Sequence, residues 1–175
     1  MDSRLNGQVV LVTGASGGLG SAIARKLASE GARLVLQYRH GRSRINELNK
    51  ELRAADPLIV RADLASQKEA KRLFRAAIER FGRVDTLIAN AGSWESRDVP
   101  MSQMTLHQWQ HTLENVLTTT FLSLREFLRL VATQRRGNAV LIASTAGVFG
   151  EAGHADYAAA KAAIAYGLSD TLKMR

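Results

Sequence analysis

The sequence predicts an α/β protein: a doubly wound parallel sheet in three layers, helices on both faces, with the last strands of that architecture missing. Three observations carry this. Short aliphatic runs at residues 8–13, 33–38, 58–60, 84–89 and 139–143 alternate with longer stretches whose apolar residues recur at helical spacing. Such alternation is the mark of parallel strands joined by crossover helices. The first run passes directly into the glycine-rich segment 14–20 and then into a helical pattern. Finally, 175 residues of which 46% are hydrophobic suit one core, and hence one domain over residues 1–175.

The elements follow in order. After the first strand, Gly14, Gly18 and Gly20 let the backbone turn sharply and come close to a ligand. Strand, glycine loop and helix together are what a dinucleotide site requires, with the pyrophosphate charge at the helix N-terminus. The helical pattern Ile23, Ala24, Leu27, Ala28 stops at Gly31. The second strand, 33–38, leads through a loop to a helix over about 43–54. An acid at this strand's exit would bind a ribose 2′-hydroxyl, whereas an arginine accommodates a 2′-phosphate. The chain has Arg39 there and no acid before Glu47. The expected cofactor is therefore NADP(H) rather than NAD(H), with Arg39 on the phosphate and Arg42 or Arg44 assisting; the alternative leaves Arg39 a solvated loop charge.

The third strand ends in Arg61-Ala62-Asp63-Leu64. Ser66 and Glu69 have capping-box spacing, Asp63 can help cap the same helix, and Gly82 stops it after Phe81. The fourth strand closes in Asn90-Ala91-Gly92. Residues 93–105 are polar and read as a loop over the site. A long helix over about 106–133 carries Trp109, Leu113, Val116, Leu117, Phe121, Leu124 and Leu128 three or four apart. Asn115 interrupts it as a poor interior helix residue, exposed or bonded to backbone if it has no other role. The fifth strand leads to Ser144 and a loop to His154. The last helix carries Tyr157, Lys161, Ala162, Ala163, Ile164, Tyr166, Leu168 and Leu172.

The chemistry concentrates at the end. Ser144 sits at the C-terminal end of a buried strand, where open α/β sheets place ligands. Tyr157 and Lys161, four apart, share one helix face. An ammonium beside a phenol favours phenolate and draws the phenol towards general acid/base work near neutral pH. Tyrosine and lysine at this spacing alone also occur as a structural pair; the serine and the glycine loop raise the reading above that.

Thr13-Gly14 with Gly18 and Gly20 as TGxxxGxG, Asn90-Ala91-Gly92, and Ser144 with Tyr157-x-x-x-Lys161 thirteen residues on together resemble the short-chain dehydrogenase/reductase family. The resemblance implies a Rossmann fold and an oxidoreductase acting on a ketone or secondary alcohol. Tyr157 would be the proton donor or acceptor and Ser144 would position the substrate oxygen. Lys161 would lower the tyrosine pKa and hold the nicotinamide ribose, and Asn115 would support a proton relay to that lysine. Gly14, Ser16, Gly18, Leu19, Gly20, Arg39, Asp63, Leu64, Asn90, Gly92, Tyr157 and Lys161 would contact the cofactor, with Asp63 approaching the adenine and Asn90 and Gly92 in support. Two departures are visible: Ala89 replaces the first asparagine of the family's NNAG segment, and Gly17 stands where many NADP-dependent members carry a basic residue. The Ser144 and Tyr157 segments look like those of 3-oxoacyl-carrier-protein reductases, which implies a carrier-protein-linked substrate and a homodimer or homotetramer. Family members continue beyond the catalytic helix, so the domain is expected to be incomplete at its C-terminus.

Other classes lose ground on composition. No run of about 18 apolar residues and no leader-like start are seen, so a cytoplasmic protein without a membrane partner is expected. Cysteine is absent and the 4 histidines lack ligand spacing, which argues against a metal site. The net charge of +8 raises nucleic acid as a partner, but the arginines are dispersed, so none is expected. A basic surface also suits an acidic carrier protein. The competing reading is a nucleotide-binding or vestigial module without turnover.

Overall fold

The computed structural model describes residues 4–169; Leu172 and the chain end after it lie outside them. Five parallel strands form one sheet: β1 (Val9–Val12), β2 (Arg33–Tyr38), β3 (Leu58–Arg61), β4 (Thr86–Ala89) and β5 (Asn138–Leu141), in the order β3-β2-β1-β4-β5. The order reverses direction between β1 and β4, the switch point where such sheets bind ligands. β1 is covered on both faces, and its alternate side chains serve different layers. Val9 and Leu11 pack with Val35 and Leu87 against α3 (Gln67–Phe81) and α5 (Thr119–Gln134). Val10 and Val12 pack with Leu34, Leu36 and Ile88 against α1 (Gly18–Ser29) and α2 (Arg42–Glu51). A strand buried on both faces needs the continuous aliphatic run seen here.

The helices differ from the sequence reading in four places. The helix expected to run to about residue 54 ends at Glu51, and a 3₁₀ turn, Arg53–Ala55, follows. The long helix is α4 (Leu106–Leu113) and α5 joined by a π-turn, Glu114–Thr118. Hydroxyls hold this looser turn: Thr119 donates to the carbonyl of Asn115 at 2.8 Å and Thr120 to that of Val116 at 2.8 Å. A second π-turn, Ala163–Leu168, extends the Tyr157 helix α7 (Ala155–Ala162), and the stretch read as loop after Ser144 contains a short helix, α6 (Ala146–Phe149).

The capping box ahead of α3 is half formed. Ser66 accepts from the Glu69 amide at 3.4 Å, but the Glu69 carboxylate accepts from the Asp63 amide at 2.6 Å. Asp63 itself accepts from the Ala65 amide at 3.1 Å and does not cap α3. The glutamate thus fixes the exit of β3, on the edge where all five strands end.

Candidate active site

The glycine loop is a close-packed turn. Gly14 has φ +67°, and a Cβ there would lie 2.9 Å from the Ala91 Cα. At Gly20 a Cβ would lie 2.3 Å from the Gly14 carbonyl oxygen. The first turn of α1 therefore presses onto the end of β1, which only glycine permits. Side chains then lock the turn. Gln37, buried in β2, accepts from the Gly14 amide at 2.9 Å and donates to the Ala62 carbonyl at 2.6 Å. Asn90 donates to the Thr13 carbonyl at 2.9 Å, and the Thr13 hydroxyl accepts from the Asn90 and Ala91 amides, both at 2.9 Å. Asn90 thus acts on the backbone of the glycine loop. Gln37 was not singled out from sequence, although a glutamine within an apolar strand was a readable signal.

No side chain caps the N-terminus of α1 and no acid lies in its first turn, so the amides of Gly18, Leu19 and Gly20 are free of internal competition. A cavity of about 260 Å³ opens beside them, lined among others by Gly14, Ser16, Arg39, Leu64, Gly92 and Asn115. The uncapped helix end and the side-chain-free cradle fit a dinucleotide: the amides would hold its pyrophosphate and the cavity its adenosine half. Asp63 borders a neighbouring hollow with Arg39, Arg61 and Arg72. Ser16 donates to the His40 carbonyl at 2.9 Å and so draws the glycine loop to the exit of β2.

Arg39 reaches across this cavity. Its guanidinium donates to Asn115 Oδ1 at 2.7 Å and lies 3.4 Å from Asp63 Oδ1. The other end of the Asn115 amide meets His111 at 2.8 Å. Asn115 therefore lines the cofactor cavity from the π-turn. The next residue, Val116, is the one that packs with Tyr157, Ala160 and Ile164.

Beyond β5, the segment that carries Ser144 meets the helix of Tyr157 and Lys161. Ser144 Oγ accepts from the Ala146 amide at 3.2 Å, which fixes the oxygen and leaves its hydrogen free to donate. Gly147 lets this loop meet α7: a Cβ there would lie 2.6 Å from the Ala162 nitrogen and the Lys161 carbonyl carbon. Lys161 is buried, and its ammonium donates to the Ile142 carbonyl at 2.7 Å, tying α7 to the strand end that carries Ser144. The ammonium lies 5.7 Å from the Tyr157 ring centroid. Burial pushes its pKa below the ordinary lysine value. Asp156, also buried and not singled out from sequence, accepts from the Tyr157 amide at 2.8 Å and from the Thr112 hydroxyl at 2.6 Å. It pins the start of α7 to α4.

Comparisons with known proteins agree with this architecture. The family model described as short chain dehydrogenase matches residues 8–175. A Synechocystis protein named 3-oxoacyl-[acyl-carrier-protein] reductase is 35% identical over 164 residues, covering 93% of this chain and 66% of the relative. A Staphylococcus aureus protein named 3-oxoacyl-[acyl-carrier-protein] reductase FabG is 30% identical over 156 residues, covering 88% and 63%. The chain thus spans just under two thirds of the length of these relatives. Among solved structures, an NAD⁺-bound xylitol dehydrogenase superposes with TM-score 0.90 at 30% identity, covering 97% of this chain and 65% of that one. A short chain dehydrogenase from Mycobacterium smegmatis gives 0.85 at 34% identity, covering 91% and 68%. A match that runs from the first strand through the helix of Tyr157, on a doubly wound parallel sheet, makes the assignment: the chain belongs to the short-chain dehydrogenase family.

Proposed function

We propose that residues 1–175 are a dinucleotide-binding and catalytic domain of an NADP(H)-dependent oxidoreductase acting on a ketone or secondary alcohol. One observation carries the chemistry: the buried Lys161 ammonium, held by the Ile142 carbonyl, stands one helical turn from Tyr157 and beside the strand end that bears Ser144. A bound nicotinamide supplies or accepts the hydride at the carbonyl carbon. In reduction, the Ser144 hydroxyl donates a hydrogen bond to the carbonyl oxygen and orients it. The Tyr157 phenol gives that oxygen its proton, yielding the alcohol. The phenolate left behind is offset by the Lys161 cation until solvent returns a proton. Oxidation runs the same proton path backwards.

The preference for the phosphorylated cofactor rests on Arg39 and Arg44 at the cavity and on the lack of an acid at the exit of β2. One solved relative is described as NAD⁺-bound, so family membership alone does not fix the choice. Parallel titrations of NADPH and NADH, followed by nicotinamide fluorescence, test it. A charge-assisted contact is worth about 1.5–3 kcal/mol, so NADPH should bind about 10- to 100-fold more tightly, and Arg39→Ala should abolish the difference. Equal binding of the two by the wild type would end the NADP(H) assignment. The relatives' names and the net charge of +8 support a carrier-linked acyl substrate, and the apolar face of α5 supports a homodimer or homotetramer.

A further inference from the structure

The loop after β4 places an aromatic wall beside the reacting phenol. The Trp94 ring centroid lies 5.7 Å from that of Tyr157, with the planes 55° apart, yet half of Trp94 remains exposed. Half of the indole thus faces the open side of the loop, next to the phenol. It is nevertheless held firmly. Its ring lies 4.3 Å from His154, a residue only 3% exposed, whose Nε2 donates to the Asp98 carboxylate at 3.0 Å. Gly153, at φ +78°, leaves room for Asp98, which a Cβ there would approach to 2.8 Å. The Val99 amide donates to the Gly153 carbonyl at 2.9 Å and closes the stitch. The second ring nitrogen, His154 Nδ1, is buried with no hydrogen-bond partner among the described residues, so the imidazole lies there for its face and its bond to Asp98.

We infer that Trp94 determines substrate specificity by covering the substituent next to the reacting carbonyl, and that His154 and Asp98 position it. The inference rests on the oxidoreductase reading and narrows it: the indole offers apolar area beside the phenol, and hydroxyls pressed against it would give up water with no acceptor in return, so the substituent it recognises is a hydrocarbon chain and not a polyol. Of the two substrate chemistries named among the relatives, this favours the acyl ketone over the sugar alcohol.

The test is a series of methyl ketones of increasing chain length with a hydroxylated ketone of matched size. Each buried methylene is worth about 0.8 kcal/mol, or about fourfold in kcat/KM, while it remains against the wall. The wild type should show that slope, carried in KM, and discriminate against the hydroxylated ketone. Trp94→Ala should flatten the slope. His154→Gln should flatten it partly and move Trp94 emission in a Trp109→Phe background. An unchanged slope in Trp94→Ala overturns the inference while leaving the oxidoreductase reading intact. If no ketone turns over, that reading fails instead, and octan-2-one binding with NADP⁺ present decides the inference: Trp94 emission must shift with it, and an unmoved spectrum overturns it.

Discussion

At Tyr157 and Lys161 two roles can be separated by measurement. Tyr157→Phe removes only the hydroxyl, so its aromatic contacts with Trp94 and Val116 survive. It should lower kcat by at least about a hundredfold while leaving cofactor affinity within a fewfold, since acid/base groups contribute about 10²–10⁴. Steady-state kinetics and a binding titration on one preparation check both halves; activity that survives the substitution rejects the proposed proton path. Lys161 adds a pH signature in stability. Its folded-state pKa is lowered by burial, so between that value and 10.5 the unfolded chain binds the extra proton. Raising the pH through that window therefore stabilises the wild type, because the cost of burying the charge disappears. Lys161→Met lacks the titration, and its stability relative to wild type should decline as pH rises from 7 towards 10. Urea unfolding at the two pH values measures the sign.

At the scale of elements, the turn from β1 into α1 makes a paired prediction. Gly20→Ala forces a Cβ to 2.3 Å from the Gly14 oxygen, so backbone must move; overpacking of this kind costs about 1–3 kcal/mol. Gly18→Ala meets nothing within 4 Å on the protein side and should leave the melting temperature unchanged or higher, while placing a methyl group at the helix end that would hold the pyrophosphate. Thermal melts with and without NADPH should therefore separate a folding glycine from a ligand-facing one. The same turn shows what sequence made legible. Strand, glycines and helix are neighbours in the chain, so local pattern suffices to read them. The π-turn at Glu114–Thr118 is different: one inserted residue hardly disturbs an apolar periodicity that continues on both sides. Its effect is nonetheless large, because it sets which of Asn115 and Val116 faces α7. The bond from Arg39 to Asn115 and the clamp made by Gln37 join residues far apart in sequence, and no spacing rule exposes them.

Across the whole molecule, charge and apolar surface lie in different places. Much of the positive charge is spent locally: Arg25 pairs with Glu51, Arg80 with Asp56, Arg83 with Asp85, and Arg125 and Arg129 with Glu126. Arg39, Arg61 and Arg72 border one hollow beside the cofactor cavity together with two carboxylates, Arg39 pairing with Asp63 and Arg72 with Glu69. The apolar surface lies elsewhere. Leu117, Phe121, Ala163 and Leu168 line a groove between α5 and the π-turn after α7, and Phe121 and Leu128 stand 44% and 39% exposed. An apolar face of this kind is what a subunit interface covers. In a two-fold dimer each residue of the face enters twice, so one substitution acts on both copies. Phe121→Arg would then place two unpaired cations in the contact, each costing about 3–5 kcal/mol where burial is complete. The dimer dissociation constant should rise by at least about a hundredfold, with cofactor affinity retained because Phe121 lies outside the cofactor cavity. Sedimentation velocity across a micromolar concentration range decides the matter: a wild type that sediments as a monomer throughout, or a Phe121→Arg variant that stays associated, rules out this face as the interface.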